Sequence, residues 1–484
     1  MNDERFDELA RAVATTPVSR WQMLKALAGG AGLTLAGGLS PPRARAQTAT
    51  KPNVVFVITD DQHIYHLKHM PYLSSKPHGD WIEFANAFEN TPICCPTRAT
   101  ILTGQYSHHH GITNQSSIKF KDTSTIATWL KSAGYRTGLI GKYLNGYPTP
   151  TQPANYIPPG WDYWVANQDG VGYYNYKLTE NGKTVSYGSA PADYETDVLH
   201  RKAMNFLDTT PTSTPFFLYL STHAAHDSGN IPAPRHKGAY KTLPLFYGPN
   251  FNESDVSDKP AWVRALPLVS KSSMDTNQRL AAETLLAVDE SIKGIMDKLI
   301  KRGQLDNTVF IFMTDNGFSF GAHRWVQKMC VYEECVRTPL LIRYPGLGGN
   351  RTETRLVSSV DIAPTLAALS EVSPTHKVDG RSLVPLLNGT ATEWRKSLLL
   401  EYQGAPEPNE PPPFWAVRTP EWKYVELETD GKWRELYRVS ISHGGRPSSD
   451  RKRDPYELEN VVNRSDLSSI RSSLAAELQR LKAE

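Results

Sequence analysis

The sequence predicts an α/β protein built on a mostly parallel β-sheet with helices on both faces. Two patterns carry that prediction. Short runs rich in β-branched and aromatic residues end abruptly at polar residues, as strands buried on both faces do, and amphipathic segments of helical period lie between them. Ligands of such sheets sit beyond the carboxyl ends of the strands. The polar residues that follow the apolar runs are therefore the first candidates for a site.

Residues 1–46 read as an export signal. Ser19-Arg20-Trp21-Gln22-Met23-Leu24-Lys25 precedes a small, apolar run from Ala26 to Leu39, and Ala44-Arg45-Ala46 offers a cleavage point. The apolar run is short for a stable membrane span, and no other segment competes with it. The expected location is periplasmic or extracellular. The expected domains are a catalytic one over 47–370 and a C-terminal subdomain over 371–484.

Within the catalytic region, strand 54–59 stops at Asp60-Asp61. Cys94-Cys95 stands before Pro96, which suits the first position of a helix, and the free amides and positive dipole end of that helix face back toward Cys94. A helix over 124–132 closes at Gly134, and strand 137–140 leads to Gly141-Lys142. Residues 145–191, rich in Tyr, Asn, Gly and Pro, read as an irregular connection that shapes a pocket, as do residues 228–271. Strand 216–220 leads to His223 and His226. A long helix over 279–301 places Leu285, Val288, Ile292, Ile295, Met296 and Leu299 on one face, and strand 309–314 stops at Asp315-Asn316. After about residue 367 the character changes. A Pro-rich loop over 406–413 precedes strand-like pieces around Trp415 and Trp422, and an amphipathic helix starts near Leu467.

A chain of 484 residues, 39% hydrophobic, buries a large core, and 53 basic against 50 acidic residues leave no electrostatic footprint for nucleic acid. The four cysteines do not make a disulfide framework. Cys94 and Cys95 are adjacent, and Cys330 and Cys335 read as two free buried thiols in preference to a bridge, which needs Cα atoms within about 7 Å. Asp60, Asp61, Asp315 and Asn316 offer only oxygen, which selects a hard cation such as Ca²⁺ or Mg²⁺.

The string from Cys94 to Gly104, with Cys-Cys-Pro-Thr-Arg and then Leu-Thr-Gly, closely resembles the signature of type I sulfatases of the alkaline phosphatase superfamily. In that family the first cysteine, here Cys94, is oxidised to formylglycine. Gly141-Lys142-Tyr143-Leu144-Asn145 and Ile157-Pro158-Pro159-Gly160-Trp161 look most like the branch of N-acetylglucosamine-6-sulfatases and extracellular endosulfatases. The region after 370 resembles the family's small antiparallel sheet with a helix, and the leader resembles a twin-arginine signal with Trp21 in place of the second arginine.

The resemblance implies a sulfuric ester hydrolase acting on sulfated sugars or aryl sulfates. It implies one calcium ion, with magnesium the alternative, held by Asp60, Asp61, residue 94, Asp315 and Asn316, and a formylglycine-generating enzyme as maturation partner. One hydroxyl of the aldehyde hydrate attacks sulfur, and the second allows sulfate to be expelled. Arg98 holds the hydrate, Lys142 and Lys328 bind sulfate, and His226 protonates the leaving oxygen, with His223 as a competitor for that role. Ala225 and Ser228 stand where the family has prolines. Thr97 stands where serine is usual and assists residue 94. Asn114, His109 and His323 are candidates to line the substrate pocket. The same scaffold suits phosphonate or phosphate esters, and a sulfated-glycan-binding protein without turnover is the reading from another class.

Overall fold

A computed structural model describes residues 51–168, 172–227, 229–404, 410–428, 433–439 and 453–484. The expected export signal, Ser228 and residues 406–409 of the Pro-rich loop lie outside these residues.

Ten strands form the main sheet: β1 (Asn53–Thr59), β2 (Trp81–Phe84), β3 (Arg136–Gly141), β4 (Tyr163–Asn167), β5 (Lys177–Glu180), β6 (Lys183–Ser186), β7 (Phe216–Ser221), β8 (Thr308–Thr314), β9 (Leu340–Arg343) and β10 (Arg351–Glu353). Their spatial order is β10-β2-β9-β8-β1-β7-β3-β4-β5-β6. The five central strands, β8 to β4 in that order, are mutually parallel, and antiparallel pairs extend the sheet at both sides. Parallel pairing of this kind requires helical cover on both faces, and the alternation along β1 supplies it. Val54, Phe56 and Ile58 pack with Ile101, Trp129 and Leu366 from helices α1 (Cys94–Thr103), α2 (Ile126–Ser132) and α5 (Ile362–Leu369). Val55 and Val57 pack on the opposite face with Leu199, Phe206, Leu285 and Ile292 from α3 (Glu195–Asp208) and α4 (Lys271–Lys301).

Several details differ from the sequence reading, among them the start of α2 at Ile126 and of α4 at Lys271. Helix α1 begins at Cys94 itself, with extended Ile93 before it, so Pro96 sits third among the first-turn residues whose amides need no helical acceptor. The stretch 145–191 is not irregular throughout, because β4, β5 and β6 continue the sheet there. Cys330 and Cys335 are joined by a disulfide, since the one-turn helix Glu333–Val336 folds the chain back and brings their Cα atoms to 5.7 Å.

After α5, four antiparallel strands follow: β11 (Leu398–Tyr402), β12 (Phe414–Arg418), β13 (Lys423–Leu427) and β14 (Arg434–Tyr437). One face of this small sheet packs on Phe88, Tyr332 and Val336, and the other on Leu474, Leu478 and Leu481 of α6 (Ser468–Lys482). Among the described residues no helix is long and apolar enough to cross a membrane.

Candidate active site

Adjacent strand ends deliver polar groups to one edge of the sheet. Asp60 and Asp61 follow β1, and an extended chain would send their side chains to opposite faces. A φ of 55° at Asp61 breaks that alternation, in a left-handed conformation that aspartate tolerates better than most residues. The Asp61 amide donates to Asp315 Oδ1 at 3.2 Å, which ties the end of β1 to that of β8. The Asp60 amide donates to the Ala224 carbonyl at 3.0 Å, and the Ala225 amide donates to the Asp60 carbonyl at 2.8 Å. β3 ends at Gly141 with φ 108°, where a Cβ would lie 1.8 Å from the Ser221 carbonyl oxygen. Glycine lets the two strand ends close, and the Lys142 amide then donates to that same carbonyl at 2.9 Å.

Helix α1 aims its first residue into this edge. Cys94 Sγ lies 3.5 Å from Asp60 Oδ1, 3.9 Å from Asp61 Oδ1 and 2.8 Å from Lys328 Nζ. One turn later Arg98, fully buried, donates through Nε to Asp315 Oδ2 (2.8 Å) and through Nη2 to Asp60 Oδ2 (3.2 Å). Its Nη1 donates to Ser221 Oγ (2.6 Å) and to the Lys142 carbonyl (3.0 Å). Lys142 Nζ donates to Asp60 Oδ2. Lys328 Nζ reaches both Asp61 oxygens at 2.9 and 3.1 Å, and Asn316 Nδ2 donates to Asp61 Oδ1 at 2.6 Å. The Thr97 hydroxyl is committed to the Thr91 carbonyl.

Three buried carboxylates thus face three cations. Burial pushes the Asp60 carboxyl up, but Lys142, His226, Arg98 and Lys328 together outweigh it and hold the group well below the usual range. Asp315 is raised, by burial and then by its neighbour Asp60. Burial works against the Lys142 ammonium, and Asp60 more than compensates, so it remains charged. The Cys94 thiol is pushed up to about 12 by burial and then by Asp60. It stays protonated at neutral pH, so this pocket does not favour thiolate chemistry.

The two histidines after β7 occupy different depths. His223 is buried, and burial together with His226 holds its ring well below the usual histidine value. His226 stacks on it at 4.9 Å, places Nε2 3.6 Å from Asp61 Oδ2, and keeps 27% of its side chain exposed at the mouth of the site. Ligand atoms of Asp60, Asp61, Cys94 and His226 lie within 4.8 Å of one another, a grouping able to hold a metal ion. Asn316 Oδ1 is buried there without a hydrogen-bond partner. An unpaired acceptor beside three carboxylates is a donor set that fits a hard divalent cation.

The remaining candidates stand elsewhere. Asn114 is exposed and accepts from the Ser116 amide at 3.1 Å. His109 Nδ1 pairs with Asp379 at 2.7 Å. His323 is buried with Nδ1 on Glu253 at 2.6 Å, in a second cluster with Glu334 and Glu457. Sequence reasoning missed Ser221, the last residue of β7 and a partner of Arg98, and Asn167, the last residue of β4. Both obey the strand-end rule, but the strand carrying Asn167 was not recognised.

A family model described as Sulfatase matches residues 52–372, and one described as N-sulphoglucosamine sulphohydrolase, C-terminal, matches residues 321–484. An N-acetylglucosamine-6-sulfatase of Capra hircus is 34% identical over 388 residues, 76% of this chain and 69% of the relative. A solved structure described as a complex with its substrate D-glucosamine-2-N,6-O-disulfate superimposes with a TM-score of 0.77 at 25% identity, covering 90% of this chain and 98% of the other. A phosphonate monoester hydrolase of Agrobacterium radiobacter shares the fold, with a TM-score of 0.67 at 21% identity over 89% of this chain and 95% of the other.

Proposed function

The chain belongs to the sulfatase family, and from that premise we propose how this sulfuric ester hydrolase works and on what. The observation that carries the reading is the position of Cys94 Sγ, 3.5 and 3.9 Å from Asp60 and Asp61 and 2.8 Å from Lys328. Residue 94, oxidised to formylglycine by a dedicated generating enzyme, would be the nucleophile: its hydrate would supply one hydroxyl to attack sulfur and a second to let sulfate leave. Arg98, fixed by four hydrogen bonds, orients Asp60 and Asp315 around it. Lys142 and Lys328 meet the sulfate oxygens and offset the carboxylate charge that would otherwise repel an anion. His226, at the solvent side, gives the leaving oxygen its proton.

Asp60, Asp61, Asp315 and Asn316, with residue 94, would hold one calcium ion, magnesium being the alternative. When bound, that ion supplies Lewis acidity toward the sulfate oxygens. The substrate is a sulfated glucosamine or related sugar, the reading supported by the relatives' names. The disulfide between Cys330 and Cys335 supports export to an oxidising compartment. We also place the boundary between catalytic domain and C-terminal subdomain near residue 370, just after α5 ends at Leu369.

The test is sulfate release from N-acetylglucosamine 6-sulfate and from an aryl sulfate, with an aryl phosphonate in parallel and mass spectrometry of the peptide 91–98. A large preference for phosphorus would assign the chain to phosphonate hydrolysis. Sulfated-glycan binding without turnover by fully modified protein would leave only a binding role. Unmodified thiols throughout active protein would overturn the nucleophile.

A further inference from the structure

Beside Lys142 and His226 opens a pocket of about 250 Å³, lined also by Tyr143, Asn145, Tyr147, Asn167, Gln168 and His223. Its far wall comes from a fifth strand end. β4 runs parallel to β3 with Ala166 opposite Gly141, so Asn167 stands abreast of Lys142. The Asn167 residue is only 9% exposed, yet neither its Oδ1 nor its Nδ2 has a hydrogen-bond partner among the described residues. Asn145 Oδ1 is likewise buried and unpaired. The Gln168 amide is committed, its Nε2 donating to Thr179 and Thr184 hydroxyls at 2.9 Å each.

A buried primary amide with both functions unpaired destabilises a fold, and its place in the wall of an open pocket points to a ligand that supplies both partners. The carboxamide presents a donor and an acceptor side by side. Two neighbouring hydroxyls of a pyranose match it, one donating to Oδ1 and the other accepting from Nδ2. Among the described residues no carboxylate or arginine lines the pocket, and the charged groups described there, Lys142 and His226, stand at the end where the ester reacts. The amide wall therefore suits an uncharged, hydroxyl-bearing ring, while Tyr143 and Tyr147 add ring surface that a sugar or an aryl group can use alike.

We propose that Asn167, assisted by Asn145, grips a vicinal hydroxyl pair of the sugar whose sulfate lies at residue 94, and so makes the enzyme selective for sugar over aryl esters. The proposal rests on the sulfated-sugar reading above and specifies the residue that enforces it. In Asn167→Leu, which keeps the branched shape and removes both polar functions, the ratio of kcat/KM for N-acetylglucosamine 6-sulfate to that for 4-nitrophenyl sulfate falls about tenfold, the equivalent of two neutral hydrogen bonds. The loss appears mainly in KM, and the melting temperature stays equal or rises. A 4-deoxy analogue of the sugar ester, which gives up one of the two hydrogen bonds, loses about threefold against the wild type and little more against the variant. Parallel losses on both esters with a lower melting temperature, or an unchanged ratio, would overturn the proposal. Failure of the wild type to hydrolyse either ester would refute the sulfatase reading instead. Calorimetric binding of N-acetylglucosamine 6-sulfate would then still decide the proposal, since equal affinities of wild type and Asn167→Leu reject it.

Discussion

Replacing Arg98 with methionine removes a guanidinium that is fully buried and leaves the Asp60 and Asp315 carboxylates, the Ser221 hydroxyl and the Lys142 carbonyl each short of a partner. Methionine fills most of the volume, so the loss is electrostatic. Breaking a buried ion pair from one side costs about 4 kcal/mol, roughly a thousandfold in the folding equilibrium. Urea unfolding of wild type and Arg98→Met at pH 7, in buffer with and without chelator, measures it. The pH dependence has a definite sign. The wild-type Asp60 carboxyl is held below its ordinary value of 3.8, so its contribution is complete above that value and is lost as pH falls through the lower folded value. Without Arg98 less of that contribution exists to lose, and the gap between the two proteins narrows as pH drops below about 4. A variant within about 1 kcal/mol of wild type at pH 7 would refute the account of Arg98 as the charge that seats these two carboxylates.

Two further outcomes follow from burial and connectivity. Glu89 is fully buried, and burial raises its carboxyl from 4.5 to about 8 even though Thr338 donates to it at 2.9 Å. Between those values the native chain holds a proton that the unfolded chain has lost, so stability falls with rising pH by up to about 5 kcal/mol. The Glu89→Gln protein should show a flatter urea-midpoint profile between pH 5 and 8, and an identical slope would exclude Glu89 as its source. Reducing the Cys330–Cys335 bridge, which closes a loop of sequence separation 5, should cost about 2 kcal/mol. Matching urea curves with and without reductant, with free thiols counted, would show that the bridge contributes nothing.

The four strands that carry the catalytic candidates were legible to within a residue or so because each is an unbroken apolar run that must be buried on both faces. Their polar ends were legible for the same reason, since hydrophobicity stops where the sheet does. β4 escaped recognition because Tyr163–Asn167 is short and lies among Gly, Pro and Asn, and its strand character comes from pairing with β3 and β5. Asn167 was lost with it. Helix α4 starts at Lys271, earlier than its periodicity indicates, because the first turns are mostly polar and solvent-facing. The disulfide depends on a single helical turn between its cysteines, which a spacing of five does not reveal.

The loop before Cys94 is tied to β11 by two hydrogen bonds at Asn90. Asn90 Nδ2 donates to the Leu399 carbonyl at 2.7 Å, and the Glu401 amide donates to the Asn90 carbonyl at 2.7 Å, so β11 closes over a segment made some three hundred residues earlier in synthesis. Cys94 itself ends with no exposed surface. If residue 94 is oxidised as proposed, the oxidising enzyme must reach it on a nascent or unfolded polypeptide, in the interval before β11 leaves the ribosome.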